Sequence, residues 1–372
     1  MTSLETVPFL DLKTLHAPIK EAFLEALSEA IDKAEFVGGS ALESFEATFA
    51  EQCEIMQAIG LSSGTDALVL ALRACGVGPG KRVVTVPNTF IATCEAITQA
   101  GGDICFVDIE PDTCLMDPDA LARFFETGSA DAVIPVHLYG QCADMDRIGK
   151  IAAHHGARVI EDAAQAHGAR YRGRHAGSLA ELGCFSFYPG KNLGSLGEGG
   201  AVTTNDADMA AAIRRLRDHG QSGKYVHQEE GFNARMHAIQ ARFLSIKLAH
   251  LETWNQQRRD LGQLYDQAFT GSPHIRPILI HPHNVTNRHL YVIHVENRDA
   301  LAKHLAERGI QTGMHYPIPA HLQPCYMHLG FKHGDFPKAE ASANQLLSLP
   351  LFPGMTEHQL ARVVAALRDY YA

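Results

Sequence analysis

Residues 184–200 read Cys184-Phe185-Ser186-Phe187-Tyr188-Pro189-Gly190-Lys191-Asn192-Leu193-Gly194-Ser195-Leu196-Gly197-Glu198-Gly199-Gly200. The alternation from Cys184 to Tyr188 suits a short β-strand, and Pro189-Gly190 ends it, so Lys191 is placed on a turn at a strand end. Upstream, Val159 to Ala169 reads VIEDAAQAHGA and sets Asp162 at the end of a second apolar run. In an α/β sheet two such ends can meet, presenting one amine and one carboxylate to the same space.

A lysine that adds to an aldehyde and an acid that keeps a pyridinium nitrogen protonated are the two groups that pyridoxal phosphate chemistry asks of a protein. Taken singly, a lysine among glycines is a solvated turn residue and an aspartate after a strand caps a helix. Two other glycine-loop chemistries are excluded. In a P-loop, Ser or Thr would stand at Asn192 and Gly at Phe185. A dinucleotide fingerprint follows a strand and opens a helix, which Gly194 to Gly200 does not.

The surrounding chain is that of an ordinary globular enzyme. Its 372 residues are 46% hydrophobic and 20% charged, enough for one large and one smaller domain. A net charge of −10 and the lack of a Lys/Arg block argue against a nucleic-acid partner. Charged residues interrupt MTSLETVPFLDLKTLH at the N-terminus and no later run reaches membrane-spanning length, so a cytoplasmic protein without membrane partners is expected. Eight scattered cysteines without a CxxC pair read as reduced thiols. The 21 histidines, including His154-His155 and His281-Pro282-His283, show no ligand spacing with acidic or thiol support, so no metal is expected.

From residue 57 short apolar runs alternate with amphipathic ones. Strands are expected at Gln57 to Leu61, Arg82 to Val86, Ile104 to Val107, Ala132 to Val136 and Arg158 to Ile160, with helices such as Asp66 to Cys75 and Asp144 to His155 between them. This βαβ rhythm predicts a mostly parallel sheet, with ligands beyond the strands' carboxyl ends at Ser63-Gly64-Thr65, Asn88-Thr89-Phe90, His137 and Asp162. Strands Gly183 to Tyr188 and Gly200 to Thr204 make the sheet mixed. A helical stretch from Arg235 to Thr270 leads to strands Arg276 to Ile280 and His289 to Val295 and helices Asp299 to Arg308 and Pro337 to Leu347. The division expected is residues 1–250 for a large domain with an N-terminal arm and 251–372 for a small α+β domain.

The segments around Asp162 and Gln165, Phe187 to Gly194, GFNARMHAIQA (231–241) and HYPIPAHLQ (315–323) resemble the sugar aminotransferases of the DegT/StrS family in that order. The resemblance runs from Pro8 to Pro353 and is nearest, at the lysine loop, to enzymes that aminate C3 of a nucleotide-linked 3-keto-6-deoxyhexose. It implies a fold-type I transferase that uses pyridoxal 5'-phosphate, with Lys191 as its tether and proton shuttle. Asp162 would face the ring nitrogen, Gln165 the ring oxygen and Phe90 the ring face. Gly64, Thr65 and Ser186 would hold the phosphate. Asn233 would reach a neighbouring subunit's phosphate, giving a homodimer with shared sites, and Arg235 would meet the donor's carboxylate. Tyr188, His315, Tyr316 and His321 match sugar-nucleotide positions. L-Glutamate, returned as 2-oxoglutarate, is the donor so implied, and the product is an amino sugar for surface polysaccharide or glycosylated metabolites. Alternatives within the resemblance are a 4-keto sugar, a UDP-linked 3-keto uronic acid, a keto-cyclitol, or a non-catalytic regulator. The relatives that are dehydratases carry histidine where Lys191 stands. His237 occupies the place where the family's Asn-x-Arg-x-Asp pattern has an acid.

Overall fold

Seven strands make the central sheet: β1 Gln57–Leu61, β2 Arg82–Thr85, β3 Asp103–Phe106, β4 Ala132–Val133, β5 Arg158–Asp162, β6 Leu182–Ser186 and β7 Gly200–Thr204. They lie in the order β1-β7-β6-β5-β4-β2-β3. From β6 through β5, β4 and β2 to β3 every pairing is parallel, and only β7 is reversed, running antiparallel to both β1 and β6. The computed structural model describes residues 6–372; the first five residues of the expected N-terminal arm lie outside them.

The strands are short and almost wholly buried because helices return between them, as a parallel sheet requires. Side chains set the starts of these helices. Ser63, Asp117 and Asp144 cap the helices Gly64–Ala74, Pro118–Thr127 and Met145–His154 by accepting backbone N–H bonds. Register then fixes what meets at the sheet's carboxyl edge. Asp162 pairs with Cys184, Ser186 with Gly200, and Gly200 with Leu61. The loop after β1 is thereby pressed against the end of β6: a Cβ on Gly64 would stand 2.5 Å from that of Ser186, and one on Gly200 would stand 2.2 Å from the Ser63 carbonyl oxygen. Only glycine permits that approach.

A second core forms around Tyr291–His294, which pairs with Arg276–Pro277 on one side and Leu346–Leu349 on the other. Helices Arg298–Glu307 and Glu357–Tyr370 cover it, and Val7 reaches it from the N-terminal segment. The helix Leu251–Phe269 spans both cores, with Leu251 in the first and Leu261 in the second.

Two expectations differ from the structure. The single helix over 235–270 is two, Ala238–Leu248 and Leu251–Phe269, and residues 233–237 are extended because Asn233, Arg235 and His237 bridge to Asp218, Leu61 and Val37. Leu346–Leu349 is a strand and not the end of the preceding helix; a short apolar run does not distinguish the two by periodicity. The stretch from Ala320 to Ala339 packs on the first core, anchored where the Ala320 N–H donates to the Pro87 carbonyl. Among the described residues no helix is long and apolar enough to cross a membrane.

Candidate active site

The carboxyl ends of β1, β2, β4, β5 and β6 open into a cavity of about 720 Å³, within the size range of small-molecule sites. Phe9, Leu10, Leu349 and Leu351 form part of its wall on the side of the second core.

Lys191 lines this cavity, and no hydrogen-bond partner for its amine is found among the described residues. Burial pulls the amine down to about 8, and the carboxylate of Asp162 offsets part of that effect. Its loop is held by the chain that follows. Asn192 donates to the side-chain oxygen of Asn255 (2.8 Å) and to the Asn287 carbonyl (3.1 Å). Asn255 and Asn287 donate in turn to the carbonyls of His167 and Gln165. Behind the loop, buried Lys247 donates to the Gly194 carbonyl.

Asp162 ends β5 with 5% of its surface exposed. No helix follows it, so the capping role open to it in sequence is not the one it takes. One carboxylate oxygen accepts from the Thr93 hydroxyl (2.7 Å), itself bonded to Thr89, and the other accepts from the Ala164 N–H (3.2 Å). Next to it Glu161 points to the opposite side of the sheet, taking bonds from His137 and from the N–H groups of Gly177, Leu179 and Ala180. Gln165 accepts from the Tyr139 N–H (2.7 Å) and donates to the Tyr316 hydroxyl (3.3 Å), which fixes its amide orientation.

Gly64 and Thr65 open the helix that begins at the cavity, where unpaired N–H groups and the helix dipole favour an anion. Ser186 faces them across the close contact already described. Phe90 is 54% exposed and its ring lines the cavity 5.6 Å from that of Tyr316. Tyr188, His315 and Tyr316 line it too. His315 is bonded to the Ser348 hydroxyl and stacks on Phe9, and burial together with the charge of Lys191 pushes its imidazole down to about 4.

Three candidates are not brought into the cavity of this chain. Asn233 is exposed and accepts from Arg235, whose other nitrogen donates to Asp218; both distances are 2.6 Å. His321 is buried between Phe106 and Phe336 and bonded to Glu340. Residues that sequence reading missed include Thr93, Tyr139, Arg258 and His289. The signal for the third was Asn255 and Arg258, three apart among Leu251, Trp254 and Leu261 and therefore polar on a buried helix stripe.

The set fits pyridoxal phosphate: an anion cradle at a helix start that only glycine leaves open, an exposed ring face, an anchored carboxylate and a desolvated amine facing one space. Among the described residues no cluster of His, Cys, Asp or Glu is built to hold a metal ion. Comparison with known proteins agrees. Residues 17–368 match the DegT/DnrJ/EryC1/StrS aminotransferase family. The chain is 43% identical over 364 residues to the dTDP-3-amino-3,4,6-trideoxy-alpha-D-glucose transaminase of Streptomyces venezuelae, covering 98% of this chain and 96% of the other. Its structure superposes with a TM-score of 0.96 on the crystal structure of S. venezuelae DesV in complex with a ketimine intermediate, at 42% identity and covering 98% of both chains. The crystal structure of NtdA from Bacillus subtilis with bound cofactor PMP superposes with a TM-score of 0.91 at 30% identity, covering 99% of this chain and 86% of that one.

Proposed function

The chain belongs to the DegT/DnrJ/EryC1/StrS aminotransferase family, and from that premise we propose that it uses pyridoxal phosphate to move an amino group from L-glutamate to a nucleotide-diphosphate-linked 3-keto-6-deoxyhexose. The observation that carries the reading is the convergence of Lys191 and Asp162 on a cavity large enough for a sugar. The name of the Streptomyces venezuelae relative supports a dTDP-linked sugar aminated at C3.

Bound in this cavity, pyridoxal phosphate supplies an aldehyde that condenses with amines and a conjugated ring that takes up the electron pair released when a substrate C–H bond breaks. The protein's own groups do the rest. With its amine lowered to about 8, Lys191 has an appreciable unprotonated fraction near neutrality, so it can both attack and carry a proton between two carbons. Asp162 is held as an acceptor by Thr93 and Ala164 and would keep the ring nitrogen of a bound cofactor protonated. Gln165 and Tyr316 fix each other on the same wall. Tyr188, His315 and Tyr316 offer bonds to sugar hydroxyls with no added charge, the imidazole being neutral.

A homodimer with shared sites belongs to the same proposal. Asn233 and Arg235 lie outside the cavity of their own chain, as residues that complete a neighbour's site would. Mixing inactive Lys191→Ala and Asn233→Ala proteins and letting subunits exchange should restore part of the activity, up to about a quarter of the sites in a random mixture. Demonstrated exchange without recovery places both residues in one chain's site.

The reading is tested with a panel of nucleotide keto sugars, glutamate-dependent amination being followed and the position of the new amine assigned by NMR. Amination at C3 of a 6-deoxyhexose is expected. Amination at C4 overturns the positional assignment, and no amination of any sugar, with cofactor bound, favours the regulator.

A further inference from the structure

Resting on the transaminase reading, we propose that Arg258 forms the subsite for the amino donor's carboxylate, inside the chain's own cavity. The helix Leu251–Phe269 carries Arg258 to the cavity wall beside His289, Leu349 and Leu351. Its side chain is 3% exposed. One terminal nitrogen donates to the carbonyls of His289 (3.1 Å) and Leu351 (2.9 Å), and Nε is buried without a partner.

Among the described residues Arg258 pairs with no carboxylate; Lys247 has none either, but it lies behind the lysine loop and does not line the cavity. Lys191 has Asp162 nearby, and Arg235 is already bonded to Asp218. A buried guanidinium left with carbonyls alone retains its desolvation cost uncompensated, which a carboxylate bound against it removes. Burial lowers Arg258 only to about 10, so it remains a cation near neutrality.

The neighbourhood is built to leave that charge unopposed by other cations. Asn192 spends its amide N–H groups on Asn255 and Asn287, so its oxygen accepts from Nδ1–H of His289 at 2.9 Å. Nδ1 of His289 therefore carries a proton, and burial with the charges of Lys191 and Arg258 holds its imidazole well below the usual histidine range. Beyond it the wall is Leu290, Leu349 and Leu351, apolar surface suited to a donor's methylene chain and unsuited to a sugar's hydroxyls. An amino acid with its carboxylate on Arg258 can direct its amine toward Lys191.

The two half-reactions separate this assignment from its alternatives. In the Arg258→Gln holoenzyme the glutamate concentration that half-saturates the change in cofactor absorbance should rise on the order of 10²-fold, as expected when a buried charge pair loses one partner. Reaction of the preformed pyridoxamine-phosphate form with keto sugar should keep its wild-type rate. Arg258→Lys preserves a cation and should lose roughly 10-fold, because a guanidinium's paired donors are gone; it also serves if the glutamine variant does not fold. Calorimetric titration of 2-oxoglutarate into the pyridoxal-phosphate form, which has no cofactor amine to give it, should show the same weakening without turnover. An equal loss in both half-reactions, or a loss confined to the sugar step, overturns the assignment, as does a glutamate-specific loss on Arg235→Ala with Arg258→Lys unaffected. A wild-type protein whose cofactor absorbance glutamate does not move overturns the donor reading together with this subsite.

Discussion

Lys191→Ala is expected to leave a folded protein whose turnover falls on the order of 10⁴-fold, since one side chain serves as nucleophile and proton carrier. The test that does not depend on turnover is covalent. Borohydride treatment of the wild type should fix the cofactor to the peptide containing Lys191, and the same treatment should fix none in the variant. A label on another lysine, such as buried Lys247, would sink the assignment. The pH behaviour has a definite sign. The folded amine is depressed to about 8 from 10.5, so the cofactor-free protein holds an ammonium at a cost present below pH 8 and relieved between about 8 and 10.5. The cofactor-free wild type should therefore be less stable than Lys191→Ala at pH 7, with the gap in denaturant midpoint narrowing as pH rises through that window. Lys247 is lowered in the same way, but it is present in both proteins and cancels.

Asp162→Asn should bind cofactor and lose on the order of 10³-fold in rate, the scale of removing one preorganised charge from an active site. The carboxylate is 5% exposed and has bonds from Thr93 and Ala164, so an amide of the same shape keeps the pocket while giving up the charge that stabilises a protonated ring. Absorbance of the bound cofactor should persist, and the loss should appear in both half-reactions alike. Full activity in this variant would show that the ring nitrogen needs no charged partner here. Thr93→Val provides a graded comparison, removing one bond to the carboxylate and retaining its charge.

Much of this could be read from the chain, for reasons that vary along it. The parallel strands were legible because Val83-Val84, Ile104 and Val159-Ile160 are apolar runs separated by amphipathic helices. Lys191 and Asp162 were legible because they close such runs. The extended segment 233–237 was not, since its conformation comes from bridges to Leu61 and Asp218, residues distant in sequence. The helix expected over Pro337 to Leu347 runs two residues into the strand Leu346–Leu349, because four buried residues in a row carry no period. Thr93 was hidden for a different reason: a threonine inside a helix reads as filler until β5 places a carboxylate against it. His321 matched a motif, yet Phe106 and Phe336 enclose it away from the cavity.

The three asparagines behind the lysine loop make cofactor uptake a clock for folding. Asn192 meets Asn255 and Asn287, 63 and 95 positions further along the chain, and those two clasp the turn after β5. No short stretch of the polypeptide can hold the amine in place before all four segments have docked, and contacts of such long range form late. The change in cofactor absorbance on binding to refolding protein is therefore expected to trail the recovery of helical signal that the local caps alone allow.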